Sequence, residues 1–143
     1  MKVEVFTLCD AATDQRGKLN ILGTFDLICS SKAPIQHPAC TIALRVRFSK
    51  LEEGSHNIRL SFCDADGQAI IPPMGGDFKV QMGPNALSHA RNLIFNFQAL
   101  KFKEFGDYSI NLHIDKTLID SLPLYIRKME NRPPPFKGFN PPA

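Results

Sequence analysis

Apolar and polar residues alternate along much of this chain, most decisively between Phe102 and Arg127. Tyr108, Ile110, Leu112 and Ile114 interleave with Asp107, Ser109, Asn111 and His113, the period of a strand with one buried face. Leu118 to Arg127 supplies a returning apolar segment that ends in Leu124, Tyr125 and Ile126. The cleanest alternation sets Ile42, Leu44, Val46 and Phe48 against Thr41, Ala43, Arg45 and Arg47. After Glu52-Glu53-Gly54 it resumes with Ile58, Leu60 and Phe62 against Asn57, Arg59 and Ser61. A short turn between two such runs predicts an antiparallel hairpin. Phe48 then faces Ile58, Val46 faces Leu60, and Arg47 faces Arg59.

The remaining segments follow the same grammar. Lys2 to Leu8 reads as a strand, Cys9 to Arg16 as a polar loop, and Lys18 to Ile28 as a second strand with Gly23 at a bulge or close backbone approach. Cys29 to Ala39, with Pro34 and Pro38, reads as a loop. Asp64-Ala65-Asp66-Gly67 makes a turn in which Gly67 supplies positive φ. Residues 69–91 are weakly patterned. A short strand at Ala69–Ile71, an edge strand at Asp77–Met82 and a helical turn capped by Asn85 are expected there. In Asn92 to Phe102 the apolar phase moves from Phe97 to Leu100, which predicts a bulge near Gln98 or Ala99. About eight or nine short strands point to an all-β fold, an antiparallel immunoglobulin-like β-sandwich. Tyr108, following Gly106-Asp107, suits the corner tyrosine of such sandwiches, whose hydroxyl bonds nearby backbone. The sandwich is expected over residues 1–128, with a Pro-rich tail over 129–143.

Composition narrows the class. A chain of 143 residues with 43% hydrophobic content suits one domain with a real core, and 11 Phe against no Trp make Phe its main filler. A net charge of +3 is too small to argue for nucleic acid. No apolar run reaches the roughly 20 residues of a membrane span, and MKVEVFTLCD lacks a signal peptide's apolar core, so a cytoplasmic address is expected. Cys9, Cys29, Cys40 and Cys63 show no CxxC spacing and read as free thiols.

Three blocks in order, VEVFTLCDAATDQRGKLNILGTFD, ALRVRFS…GSHNIRLSFCDADG and FKEFGDYSINLHID…LPLYI, resemble an uncharacterised family of small bacterial proteins known only as a domain of unknown function. The resemblance spans roughly the first 127 residues and implies a β-sandwich of bacterial origin. It implies no activity, so no site residue follows from it.

Candidate chemistry is sparse. With Arg47 opposite Arg59 and Arg45 opposite Ser61, like charges face each other, and the stripe wants a carboxylate, an anion or an acidic partner surface. Asp64-x-Asp66-Gly67 is half of a calcium loop without its distal acid, so a plain turn is the better reading. Cys29, His37, Cys40 and Cys63 match no compact zinc spacing. His37, His56, His89 and His113 read as surface histidines, and no nucleophile elbow, P-loop or GxGxxG is present. No metal or cofactor is expected, and an enzyme is not favoured. In the tail, Phe136 and Phe139 stand among prolines as anchors for docking. The reading is therefore a non-enzymatic protein-binding or assembly module with Arg45, Arg47, Arg59, Phe136 and Phe139 as its binding residues. Its expected partner is a protein or a second copy, with neither nucleic acid nor membrane. The alternative is a small-ligand-binding or hydrolytic protein with a cleft near residues 69–91.

Overall fold

Two sheets account for the alternation. The structure, a computed structural model, describes residues 1–129, so the tail with Phe136 and Phe139 lies outside the described residues. The strands are β1 (Lys2–Gln15), β2 (Lys18–Thr24), β3 (Leu27–Ser30), β4 (Ile35–Ser49), β5 (Gly54–Cys63), β6 (Met74–Val80), β7 (Ser88–Phe102), β8 (Gly106–Ile114) and β9 (Thr117–Lys128). One sheet has the order β2-β1-β4-β7 and the other β3-β9-β8-β5-β6. Among the described residues there is no α-helix, hence none long and apolar enough to cross a membrane.

The inner faces hold the alternating apolar residues: Ile42, Leu44, Val46 and Phe48 from β4, Leu60 and Phe62 from β5, Ile110, Leu112 and Ile114 from β8. Each fully buried side chain of this size contributes roughly 1.5–3 kcal/mol. Phe62 of one sheet meets Phe97 of the other edge-to-face at 4.9 Å, and Phe102 meets Tyr108 at 5.0 Å. The Tyr108 hydroxyl donates to the Glu104 carbonyl at 2.7 Å, as the corner reading requires.

Several expectations need correction. β4 and β5 do not form a hairpin. They lie in different sheets, joined by an arch containing the 3₁₀ turn Lys50–Glu52. Alternation fixes which side chains face inward and leaves open which strand lies alongside. Cys9–Gln15 is strand and not loop. The run Lys18–Ile28 is split, because the chain passes from one sheet to the other at Phe25-Asp26. β3 then pairs parallel with β9, so the fold is not antiparallel throughout. Ala69 makes only an isolated bridge to Cys63, and no helix follows Asn85, since β7 starts at Ser88. The phase change in β7 falls at Ala99, with φ +54°, opposite Pro38. The register of β4 with β7 is unbroken across it. Both strands shift face together there, His37 and Ile35 matching Leu100 and Phe102, so neither strand gains a residue on the other.

Candidate functional site

The arginine stripe is resolved by a strand the sequence did not place beside it. β4 lies between β1 and β7, and Glu4 sits where the β1 register shifts between Val3 and Val5. Its carboxylate accepts Arg45 Nε at 3.0 Å and Arg47 Nε at 2.9 Å. Arg45 Nη1 also donates to the Gly17 carbonyl at 3.2 Å and to Asn92 at 2.8 Å, and Arg47 Nη1 donates to Ser88. The Arg47 hydrogen bond holds the Glu4 carboxyl below its usual range; burial opposes it, and the Arg45 hydrogen bond adds a smaller lowering.

This network shows where the β1–β2 hairpin goes. Gly17 is at its tip, yet it reaches Arg45, whose strand partner is Val5 near the hairpin's base. Asn92 also donates to Asp14 and Gly17. The hairpin therefore lies back across the outer face of its own sheet. Thr41, Ala43 and Cys9, outward by alternation, are 3%, 0% and 0% exposed as a result. Arg45 holds the tip of this hairpin, while Arg47 joins Glu4 to Ser88 of β7. Arg59 is elsewhere, on the outer face of the other sheet opposite His113 and Gly75. The structure does not bring the three arginines together.

A second feature is an open flank. β2 pairs with β1 only from Cys9 onward, and β3 pairs with β9 only from Tyr125 onward. On the sides away from β4 and β8, Lys2–Thr7 and Thr117–Leu124 have no strand neighbour among the described residues. Between these edges lies a cleft of about 360 Å³ lined by Thr7, Leu8, Thr24, Phe25, Asp26, Leu122 and Pro123. The chain closes its far half with its own backbone: Phe25 N donates to the Leu8 carbonyl at 3.0 Å, and Tyr125 N to the Asp26 carbonyl at 2.7 Å. By strand alternation Phe6 turns its N–H and carbonyl toward the same cleft. Pro123 lacks an N–H and sits where the ladder is absent.

A third feature is a wider cleft of about 580 Å³ at one end of the sandwich, whose walls include Asp64–Asp66, Ala69, Ile70, Lys101 and Lys103–Tyr108. It meets the expected 69–91 segment only at its start. Asp64 caps its own turn, accepting Asp66 N and Gln68 N at 2.9 Å. The four thiols are free. Burial pushes Cys40 up to about 11 and raises Cys9, so neither is a nucleophile near neutrality. The described residues bring together no group of three or more His, Cys, Asp or Glu that would hold a metal. His56 and His113, read as surface residues, are not. His113 is half-buried, and the side chain of His56 is only 13% exposed with both ring nitrogens bonded. The partners of His56, the Glu52 carbonyl and Asp115, carry no sequence signal that links them to it.

The model of a family of unknown function, DUF6941, matches residues 4–127. This chain belongs to the DUF6941 family. No curated protein matches the DUF6941 chain. Among solved structures it is similar to the Pseudomonas fluorescens alkylpurine DNA glycosylase AlkC bound to DNA containing an abasic site analog. That match has a TM-score of 0.50 at 7% identity and covers 88% of this chain and 30% of that one. The DUF6941 chain thus spans under a third of that protein's length, and the likeness is one of fold. It overturns one expectation. Nucleic acid was set aside because the net charge is only +3; the similar protein holds DNA, and a whole-chain sum of charges does not exclude such a partner.

Proposed function

We propose that this DUF6941 chain is a non-enzymatic protein-binding module that accepts an extended segment of a partner protein in the open flank between β1 and β9. The observation that carries this reading is the unpaired β1 edge, Lys2–Thr7, beside a cleft whose other half the chain fills with residues 24–30. An incoming strand finds the same kind of backbone donors and acceptors that Phe25 and Tyr125 use. Six edge residues span roughly 20 Å. Half-buried Phe25 and Leu122 offer apolar contact to alternate side chains, so main-chain bonds supply affinity and the cleft supplies selectivity. β9 is the poorer edge, because Pro123 lacks a donor and Ser121 N is taken by Asp120 at 2.8 Å. The corner bond of Tyr108 supports assigning the sandwich to the immunoglobulin-like type. The wider end cleft, within the usual size of ligand pockets, supports a small-ligand role as the second reading.

The test is selection of random extended peptides on the full chain, with binding measured by fluorescence anisotropy and mapped by amide shifts. Expected are shifts at Phe6–Leu8 and at Leu122 and Leu124, and at least about tenfold weaker binding to Leu122→Lys, about 1.4 kcal/mol. Peptides that bind Leu122→Lys equally well, or that map to the end cleft, overturn the proposal. So does a DNA duplex that perturbs the flank amides while no peptide does.

A further inference from the structure

His56 stands near the start of β5, where the arch from β4 enters the second sheet. Its ring lies against Phe48 at 4.8 Å and Phe78 at 5.9 Å between centroids. Nδ1 is 2.7 Å from Asp115 Oδ2, and Nε2 is 2.6 Å from the Glu52 carbonyl oxygen. A carboxylate and a carbonyl only accept hydrogen bonds, so both contacts are satisfied only when both ring nitrogens carry protons. The neutral ring has one N–H and sets a lone pair against one of the two oxygens.

The contacts join separate parts of the fold. Asp115 and Lys116 form the β8–β9 turn, with φ +52° and +68°. Asp115 also accepts Asn57 N at 2.9 Å and returns its own N–H to the Asn57 carbonyl at 2.8 Å. Glu52 closes the 3₁₀ turn of the arch, its carboxylate accepting Ser49 N at 2.9 Å. The arch in turn carries the approach to β7. Glu53 accepts Met82 N at 2.6 Å, and Lys50 N donates to the Leu87 carbonyl at 3.1 Å.

We infer that His56 is a proton-operated clasp, which as imidazolium ties the inter-sheet arch to the β8–β9 turn and as neutral imidazole releases one of its two bonds. The charges that face it are the carboxylates of Asp115 and Glu52; the Met1 ammonium, 2.8 Å from Glu52, and Arg91, over the far ring Phe78 at 5.8 Å, are the nearby cations. Burial between the phenyl rings opposes the imidazolium, but the bonds to the Glu52 carbonyl and Asp115 outweigh it and raise His56 above its ordinary 6.5. For Asp115, burial favours the neutral acid, and the Asn57 amide and His56 outweigh it, so its carboxyl titrates lower than usual. A histidine raised in the folded state stabilises fully below its unfolded value, and that stability is lost as pH rises through the folded value. A carboxylate lowered in the folded state does the reverse at the acid end. The clasp is therefore closed between the two and opens as pH rises through the raised His56 value. This inference is independent of the strand-acceptor reading.

The experiment follows the His56 Cε1–H resonance of the full chain from about pH 5 to about pH 8, with urea stability across the same range. Expected is a His56 midpoint above that of histidine in an unstructured peptide, and stability that falls through that midpoint. His56→Gln is expected to flatten this slope while keeping the far-ultraviolet spectrum. Asp115→Asn is expected to lower the His56 midpoint, which decides the matter if His56→Gln does not fold. A midpoint at or below the peptide value overturns the clasp, as does a wild-type slope that survives in His56→Gln.

Discussion

The two outer faces of this sandwich are built from the same kind of strand and carry arginines with the same alternation, yet the arginines do different things. On the first sheet, Arg45 and Arg47 meet at Glu4, Arg45 also bonds the tip of the β1–β2 hairpin, and Ala43 beneath that hairpin is fully buried. On the second sheet, Ser121 Oγ donates to Asn111 at 2.7 Å in a row of small polar groups. Arg59 stands beside that row facing Gly75 and His113. What a surface arginine contributes is thus decided by the neighbouring strand, through whether it brings a carboxylate and a cover. Outward alternation alone says neither.

The comparison breaks most sharply at Ala43. Alternation marks it as solvent-facing, like Arg59, but it is 0% exposed. Ala43→Asp buries a charge with no cation assigned to it, because Arg45 and Arg47 are engaged by Glu4. Such a change costs about 3–5 kcal/mol. Urea denaturation should show the midpoint falling accordingly, with the slope per molar unchanged. A loss no larger than that of an ordinary surface substitution would mean that the hairpin does not cover this face.

A smaller effect is expected at Glu4. Glu4→Gln removes the charge that Arg45 and Arg47 share, leaving two guanidinium groups side by side on one strand face. Amides of the β1–β2 hairpin should lose hydrogen-exchange protection while those of β8 and β9 keep theirs. Acid should mimic the substitution. The Glu4 carboxyl is lowered in the folded state, so its contribution is present above about 4.5 and is lost as pH falls through the lowered value. Selective deprotection of the hairpin in acid by wild type, absent in Glu4→Gln, would confirm the origin.

These contrasts mark what was legible beforehand. The inner faces were: Ile42 to Phe48 and Tyr108 to Ile114 bury as alternation predicts, and the Tyr108 hydroxyl bonds nearby backbone at Glu104. The need for a counter-charge, whether a carboxylate, an anion or an acidic partner surface, was legible too, from an expected stripe that wrongly included Arg59. Its source was not, because Glu4 lies about 40 residues away in sequence and sheet order has no local signal. The hairpin expected between β4 and β5 failed for the same reason, since a short turn with the right spacing also serves as an arch between sheets. The open flank was hidden in the run Lys18–Ile28, whose two apolar faces reflect a strand that changes sheets at Phe25-Asp26. His56, which follows a turn, reads in the sequence as a surface histidine. A histidine becomes unusual through what faces it, and Asp115 arrives only when the β8–β9 turn folds beside β5.

The smallest expected effect sharpens the comparison from the other side. Arg59 is exposed, its cross-strand neighbours are Gly75 and His113, and among the described residues it forms no ion pair. Removing it takes away a solvated charge and some stem packing over β6, and it leaves no buried group without its partner. Arg59→Ala should therefore change stability by no more than about 0.5 kcal/mol, the usual range for surface positions away from special features. It should also leave the hairpin's exchange protection untouched. Arg45→Ala, made alongside, should deprotect the hairpin tip, because Gly17 and Asn92 both lose a donor. Equal and negligible effects of the two substitutions would show that the Glu4 clamp contributes nothing beyond an ordinary surface ion pair. A large loss at Arg59 would mean that the second face is covered as well.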